Sequence, residues 1–245
     1  MSATEKELRI QLAACYRIFA HLGWDELIFN HITVKIPETD HHFLINPYGL
    51  HYSEVTASNL IKVDINGQQL DDSPYRPNPA GMVIHSAVHA AREDVICIGH
   101  LHTDAGSVVA CQQEGLRTDN FYSVLLHKQV AYHDFEGLTV VAGEKERLVN
   151  SLGTKNFLIL RNHGILTCGR SIPEMFSNLW ILQRACEIQV AADSSGRPLI
   201  PIADDIADKS FELLSIQTAG APSGALEFSA MQRIVDRIDS SYRDL

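Results

Sequence analysis

The run VICIGHLH, residues 95–102, limits the fold more than any other stretch of the chain. Its apolar half shows no polar alternation, so it reads as a buried strand, and a strand of that kind needs cover on both faces of its sheet. NFLILRNHGILTCG, residues 156–169, repeats the signal as two strand pieces around a turn. Helical stripes flank them. EKELRIQLAACYRIFAHLGW sets Leu8, Leu12, Tyr16 and Phe19 on one face, with Gly23 to end it. AGMVIHSAVHAARED forms a helix after the loop DDSPYRPNP, and SIPEMFSNLWILQRACEIQVAADS a long one with Pro173 in its first turn, where a missing N–H is harmless. NHITVKIPETDHHFLI predicts a hairpin pairing Ile32, Val34 and Ile36 with Phe43 and Ile45; NLIKVDINGQQL predicts a second on Asn66-Gly67. TDAGSVVACQQEG and KERLVNSLGT read as helices, FYSVLLHKQVAYHDF as extended structure, about 195–224 as a looser segment, and about 225–242 as a final amphipathic helix. The order implies one domain over 1–245, with a sheet of mixed strands covered by helices.

At 245 residues and 45% hydrophobic, the chain is long enough to bury a full core. A net charge of −10 argues against nucleic-acid binding, which needs a basic surface. No stretch reaches the apolar length of a membrane span, and the polar start MSATEKELRI does not read as a signal peptide. Five scattered cysteines with no CxxC pair argue for reduced thiols, a cytoplasmic location, and no cysteine-based zinc site. Histidine, with twelve copies, is the unusual residue. A metal in this chain would be held by imidazole.

His100 and His102 stand two apart on one strand, so they project to the same face while Leu101 points away. Alone, the pair could simply cap a strand end. His163, at the end of another apolar strand and followed by Gly164, adds a third imidazole in the same context. Three imidazoles with an open position suit catalytic zinc, and also ferrous iron, manganese or cobalt. His85 and His89, at i and i+4 on a helix, compete for the role, but without the glutamate of an HExxH motif. His89 is expected to be structural or solvent-facing, and His85 a pocket wall or acid–base group. Nothing in the chain matches a phosphate-cradling P-loop, a GxGxxG or a GxSxG elbow.

NPAGMVIHSAVHAAREDVICIGHLHT, VAYHDFEG, LRNHGILTCG and LQRACEIQVAA together resemble the class II aldolase/adducin family, over about residues 8–195. The phrasing is closer to adducin head domains and their bacterial relatives than to sugar-phosphate aldolases. The resemblance implies a three-layer α/β/α fold with a central mixed or antiparallel sheet flanked by helices. It also implies a homotetramer with sites at subunit interfaces, and one divalent ion, by default Zn2+, on His100, His102 and His163. In the aldolases that zinc stabilises an enediolate during C–C cleavage.

The departures from the aldolase pattern matter as much. The family's catalytic glutamate falls at Gly81, within a segment that reads Pro79, Ala80, Gly81 and offers no hydroxyl to a phosphate. The second phosphate loop reads NPYG, with Tyr48 before Gly49; Asn30, in FNHIT, matches a substrate-loop asparagine. A missing general base costs about two to four orders of magnitude in rate. The expectation is therefore a metal-dependent lyase, of retro-aldol or decarboxylase type, on a small non-phosphorylated oxygenated substrate. Tyr122 or His85 would serve as acid–base group and Arg161 or Arg92 as carboxylate clamp. Two alternatives stand beside it: an adducin-head-like scaffold without catalysis, and a three-His iron oxygenase or decarboxylase.

Overall fold

This computed structural model describes all residues except Asp40, 138–142 and 218–222, and leaves the side chains of 79–80 and 214–217 undescribed. The chain opens with helix α1 (Ala3–Leu22), started by the Ser2 hydroxyl accepting the Glu5 N–H at 3.1 Å and ended by Gly23 in the left-handed region. Strands β1 (His31–Lys35), β2 (Phe43–Ile45) and β3 (Ile61–Val63) follow, then helix α2 (Pro79–Ala91) and strand β4 (Cys97–Leu101). Helices α3 (Asp104–Cys111) and α4 (Phe121–Val124) lead to strand β5 (Val130–His133), helix α5 (Glu144–Leu152) and strands β6 (Phe157–Leu160) and β7 (Gly164–Gly169). Helices α6 (Ile172–Ser194), α7 (Asp204–Gln217) and α8 (Ala225–Ile238) complete it.

The strands form one seven-stranded sheet in the order β3-β2-β1-β4-β7-β6-β5. Every neighbouring pair is antiparallel except β5 and β6, so the sheet is mixed, as expected. Alternation along β4 sorts its side chains between two cores. Cys97 and Leu101 join α1 and α6 on one face, where Leu12, Ile18, Phe19 and Phe176 are buried. Ile98 joins Ile84 and Val88 of α2 and Leu148 and Leu152 of α5 on the other. Each such large apolar side chain contributes about 1.5–3 kcal/mol by leaving water. Residues of even number on β4, His100 among them, therefore face the α2–α5 layer.

Several local expectations change. The first hairpin forms in a register one residue from the expected one, Thr33 with Ile45, Val34 with Leu44 and Lys35 with Phe43, so Ile32 and Val34 share the α1–α6 core with Leu44 while Phe43 and Ile45 turn to the other face. The second keeps its turn at Asn66-Gly67, but its ladder shrinks to one bridge, Val63 with Gln69, on the edge of β3 away from β2. Residues 121–124 are helical rather than extended, since the Asn120 side chain accepts the N–H groups of Tyr122 and Ser123 and starts a turn. The segment expected to be loose carries α7, with Asp204 and Asp205 at its positive N-terminal end. The final helix stops at Ile238 rather than 242, and a short turn then buries Tyr242 beneath the Arg243–Asp236 ion pair. All five cysteines are free, four of them buried. No described helix is long and apolar enough to cross a membrane.

Candidate metal centre

Strand pairing brings the three predicted histidines to one point. In the β4–β7 ladder Leu101 faces Ile165 and His100 faces Leu166. The β6–β7 hairpin closes with Leu160 opposite Gly164, so His163 sits in the turn beside the end of β4. Gly164 is required there: a Cβ would strike the Leu101 carbonyl oxygen and stand 3.0 Å from the His102 ring. Asn162, with φ of 57°, completes the turn.

The Nε2 atoms converge. His100 Nε2 lies 2.8 Å from His102 Nε2 and 3.3 Å from His163 Nε2, and one ligand atom from each ring falls within 4.8 Å of the others. Burial is the main cause holding all three imidazoles below their ordinary pKa: His100 well below, His102 at about 4, and His163 lowered. They are neutral at pH 7, the form that binds a cation. His100 Nδ1 lies 3.0 Å from the Ile165 carbonyl, which can only accept, so that nitrogen carries the proton and Nε2 the lone pair. Asn30 Oδ1 accepts the His102 backbone N–H at 3.0 Å, which fixes where that ring leaves the chain. In a tetrahedral zinc site, ligand nitrogens at about 2.0–2.1 Å from the ion stand about 3.3 Å apart. The His100–His163 pair has this spacing and the His100–His102 pair is tighter. An all-imidazole donor set of this shape fits a divalent ion.

A second row of polar groups lies behind the trio. His31, opposite His100 across β1 and β4, has its Nδ1 3.0 Å from His85 Nε2. His85 Nδ1 lies 2.8 Å from Thr33 Oγ1, which lies 2.9 Å from His89 Nε2, and His89 Nδ1 lies 3.3 Å from the Val95 carbonyl. All four side chains are buried, so His89 is structural and not solvent-facing. Desolvation holds His31 and His85 well below the ordinary imidazole range and His89 at about 3. Sequence reasoning missed His31, although alternation could have found it. Ile32 and Val34 enter the α1–α6 core, so His31 and Thr33 must share the opposite face, toward α2.

Gly81 is adjacent. A Cβ there would stand 2.8 Å from Cγ and Cδ2 of the His31 ring and 3.0 Å from its Nδ1. The imidazole fills the space a side chain at 81 would need. The side chains of Pro79 and Ala80 lie outside the described residues.

The other predicted residues are more scattered. Gly49 adopts φ of +100° in its turn, with open space where a Cβ would stand. Asn46, in the same NPYG loop, is buried with its Oδ1 bonded to the Tyr16 hydroxyl. Arg161 Nη1 donates to the carbonyls of Gln112 and Gln113, and its guanidinium lies 4.4 Å over the Tyr132 ring. Arg92 is fully engaged with Asp94, Asn156 and two carbonyls, so it clamps a loop rather than a substrate. Tyr122 packs at the margin of the α1–α6 core, and no described contact joins it to the trio. Beside His163 lies a small pocket of about 10 Å³ whose walls include His133, Asp134, Glu144 and Arg161. In it, His133 Nε2 and Glu144 Oε2 are buried without a hydrogen-bond partner among the described residues.

Comparison with known proteins agrees with this geometry. The family described as Class II Aldolase and Adducin N-terminal domain matches residues 10–190. A Pseudomonas aeruginosa protein named as a candidate class 2 aldolase is 47% identical over 245 residues, covering 99% of this chain and 94% of its own. The crystal structure of an aldolase II superfamily protein from Pseudomonas syringae superposes with a TM-score of 0.95 at 41% identity, covering 100% of this chain and 98% of that one. An L-fuculose 1-phosphate aldolase from Glaciozyma antarctica gives 0.86 at 30%, covering 100% and 96%. With its mixed sheet, flanking helices and converging histidines, the chain belongs to the class II aldolase/adducin N-terminal domain family.

Proposed function

We propose that this protein is a divalent-metal-dependent lyase, of retro-aldol or decarboxylase type, acting on a small non-phosphorylated oxygenated substrate. The observation that carries the reading is the convergence of three neutral Nε2 atoms, with the proton of His100 fixed on Nδ1 by the Ile165 carbonyl. A divalent ion held by His100, His102 and His163, zinc by default, would supply Lewis acidity toward the oxygens of a substrate. The chain's own groups do the rest. Asn30 orients His102 through its backbone, and a small pocket adjoins the trio at His163. Its wall carries Asp134, Glu136 and Glu144 beside Arg161, and Glu144 Oε2, without a hydrogen-bond partner among the described residues, suits a hydroxyl group. Among the described hydrogen bonds His85 connects to this site through His31 and none joins Tyr122 to it, so a role for Tyr122 would come from a neighbouring copy.

Self-association as a homotetramer belongs to the same proposal, since Phe121 next to Tyr122 is 72% exposed. The scaffold reading draws on one observation, the absence of a carboxylate at Gly81.

Elemental analysis of gently purified protein, beside the His100→Ala/His102→Ala variant, decides between them. Near one zinc or iron per chain, lost in the variant, is the expected result, and the identity of the metal chooses between lyase and oxygenase assays. A wild type that holds none and takes up none on adding zinc or iron overturns the enzyme reading and leaves the scaffold.

A further inference from the structure

The row of groups behind the trio has a direction that hydrogen-bond chemistry fixes completely. A neutral imidazole has one donor nitrogen and one acceptor nitrogen, and a hydroxyl donates once. The chain is anchored at the Val95 carbonyl, which can only accept, so His89 carries its proton on Nδ1 and accepts on Nε2. Thr33 must then donate to His89 Nε2 and accept from His85 Nδ1. His85 is left with an acceptor at Nε2, so His31 donates to it from Nδ1. His31 Nε2 therefore bears a lone pair.

His31 is also held in place. Its ring centroid lies 5.1 Å from that of His100, and Gly81 keeps open the space its imidazole occupies. The space that a side chain at position 81 of α2 would need is taken by a ring from β1. We propose that His31 is the acceptor group of this active site: its Nε2 accepts the hydrogen bond of a substrate hydroxyl, and the relay through His85, Thr33 and His89 sets the tautomer that makes this possible. The proposal rests on the metal-dependent reading above for its substrate, while the relay itself stands on the geometry alone. It also redefines His85. That residue is a positioning residue acting through His31, and Thr33 is the one hydroxyl on which the polarity of the relay turns.

The test is a long-range 1H–15N correlation spectrum of the full metal-free chain labelled with ring-15N histidine, the His31 signals assigned by their loss in His31→Gln. The expected spectrum shows His31 protonated on Nδ1 and bare on Nε2. Thr33→Val, which keeps the shape and removes the hydroxyl, is expected to shift His31 to a mixture of tautomers, and Thr33→Ser to restore the single form. A proton on His31 Nε2 in the wild type, or an unchanged His31 tautomer in Thr33→Val, overturns the proposal. A zinc titration accompanies the spectra. Wild type and His31→Gln are expected to bind the same one ion per chain, with affinities differing by no more than about 10–100-fold, the range for a group outside the ligand set. Loss of zinc stoichiometry in His31→Gln would make His31 a ligand and also overturn it. Absence of zinc uptake in both proteins removes the metal reading, whereas the expected tautomer found in the wild type upholds the relay.

Discussion

The turn carrying His163 and the N-terminal turn of α2 face the same site, and they have been treated differently by the sequence. The metal half keeps three imidazoles on strand ends locked by ladder pairing, with Gly164 permitting an approach that a side chain would block. The half at the start of α2 has no carboxylate in its first turn, and Gly81 yields its space to His31. Coordination needs several donors at fixed spacing, so it is tied to the sheet. A single proton acceptor needs only one lone pair in the right place, and a different element of the fold can present it.

Breaking the metal half is expected to have the largest effect. His163→Ala removes one of three ligands and leaves two, and the ion should be lost on gel filtration, with the fold retained because the ladder bonds of β7 are backbone bonds. Metal analysis with a circular-dichroism spectrum checks both halves of that statement. Retention of a full equivalent of metal would mean that the trio is not the site.

Acid is expected to weaken the second row more gradually. His89 is held at about 3 in the folded chain, against about 6.5 in an unfolded one, so below pH 6.5 the unfolded state binds the proton that the native state refuses. Stability therefore falls as pH drops through the window from about 6.5 toward 3. His89 alone accounts for roughly 2 kcal/mol by pH 5, and His85 and His31, shifted in the same direction, steepen the loss. Urea midpoints at pH 7.5 and 5 measure it, and equal midpoints would show that these rings are not buried neutral.

Filling position 81 sharpens the contrast between the halves. Gly81→Ala puts a methyl group against the His31 ring at 2.8 Å, and the overpacking is expected to cost about 1–3 kcal/mol in urea denaturation while metal content stays at wild-type level. A stability equal to wild type would mean that the ring moves aside freely, and that the two elements are not in register as described.

The metal half was legible in the sequence because period-two alternation alone places His100 and His102 on one face. What spacing could not supply was the pairing of β4 with β7 that carries His163 to them, since strand order is a long-range property. The same alternation was readable in HITVK, but attention to Ile32 and Val34 as core obscured His31 and Thr33 on the reverse face. Arg92 and Arg161 differ in what they keep free. Arg92 is occupied by Asp94, Asn156 and two loop carbonyls, a use that leaves no short motif, whereas Arg161 gives Nη1 to loop carbonyls and still lines the pocket beside His163. Helix α4 and helix α7 escaped for local reasons, a cap at Asn120 and an acidic first turn inside segments that composition marks as extended or loose.

The smallest expected change tests whether the site extends beyond one chain. The Tyr122 ring is packed at the core margin, but its hydroxyl has no hydrogen bond among the described residues. Tyr122→Phe should therefore leave stability within about 0.5 kcal/mol of wild type in urea denaturation, and metal content unchanged. If the protein is a homotetramer whose neighbouring copy brings Tyr122 to the trio, the same variant lowers turnover while sedimentation shows the assembly intact. Mixed tetramers made from Tyr122→Phe and His100→Ala/His102→Ala chains then recover part of the activity, because some sites pair an intact trio with an intact tyrosine. Tyr122→Phe with full turnover would return the proton chemistry entirely to groups within one chain, and to His31 first.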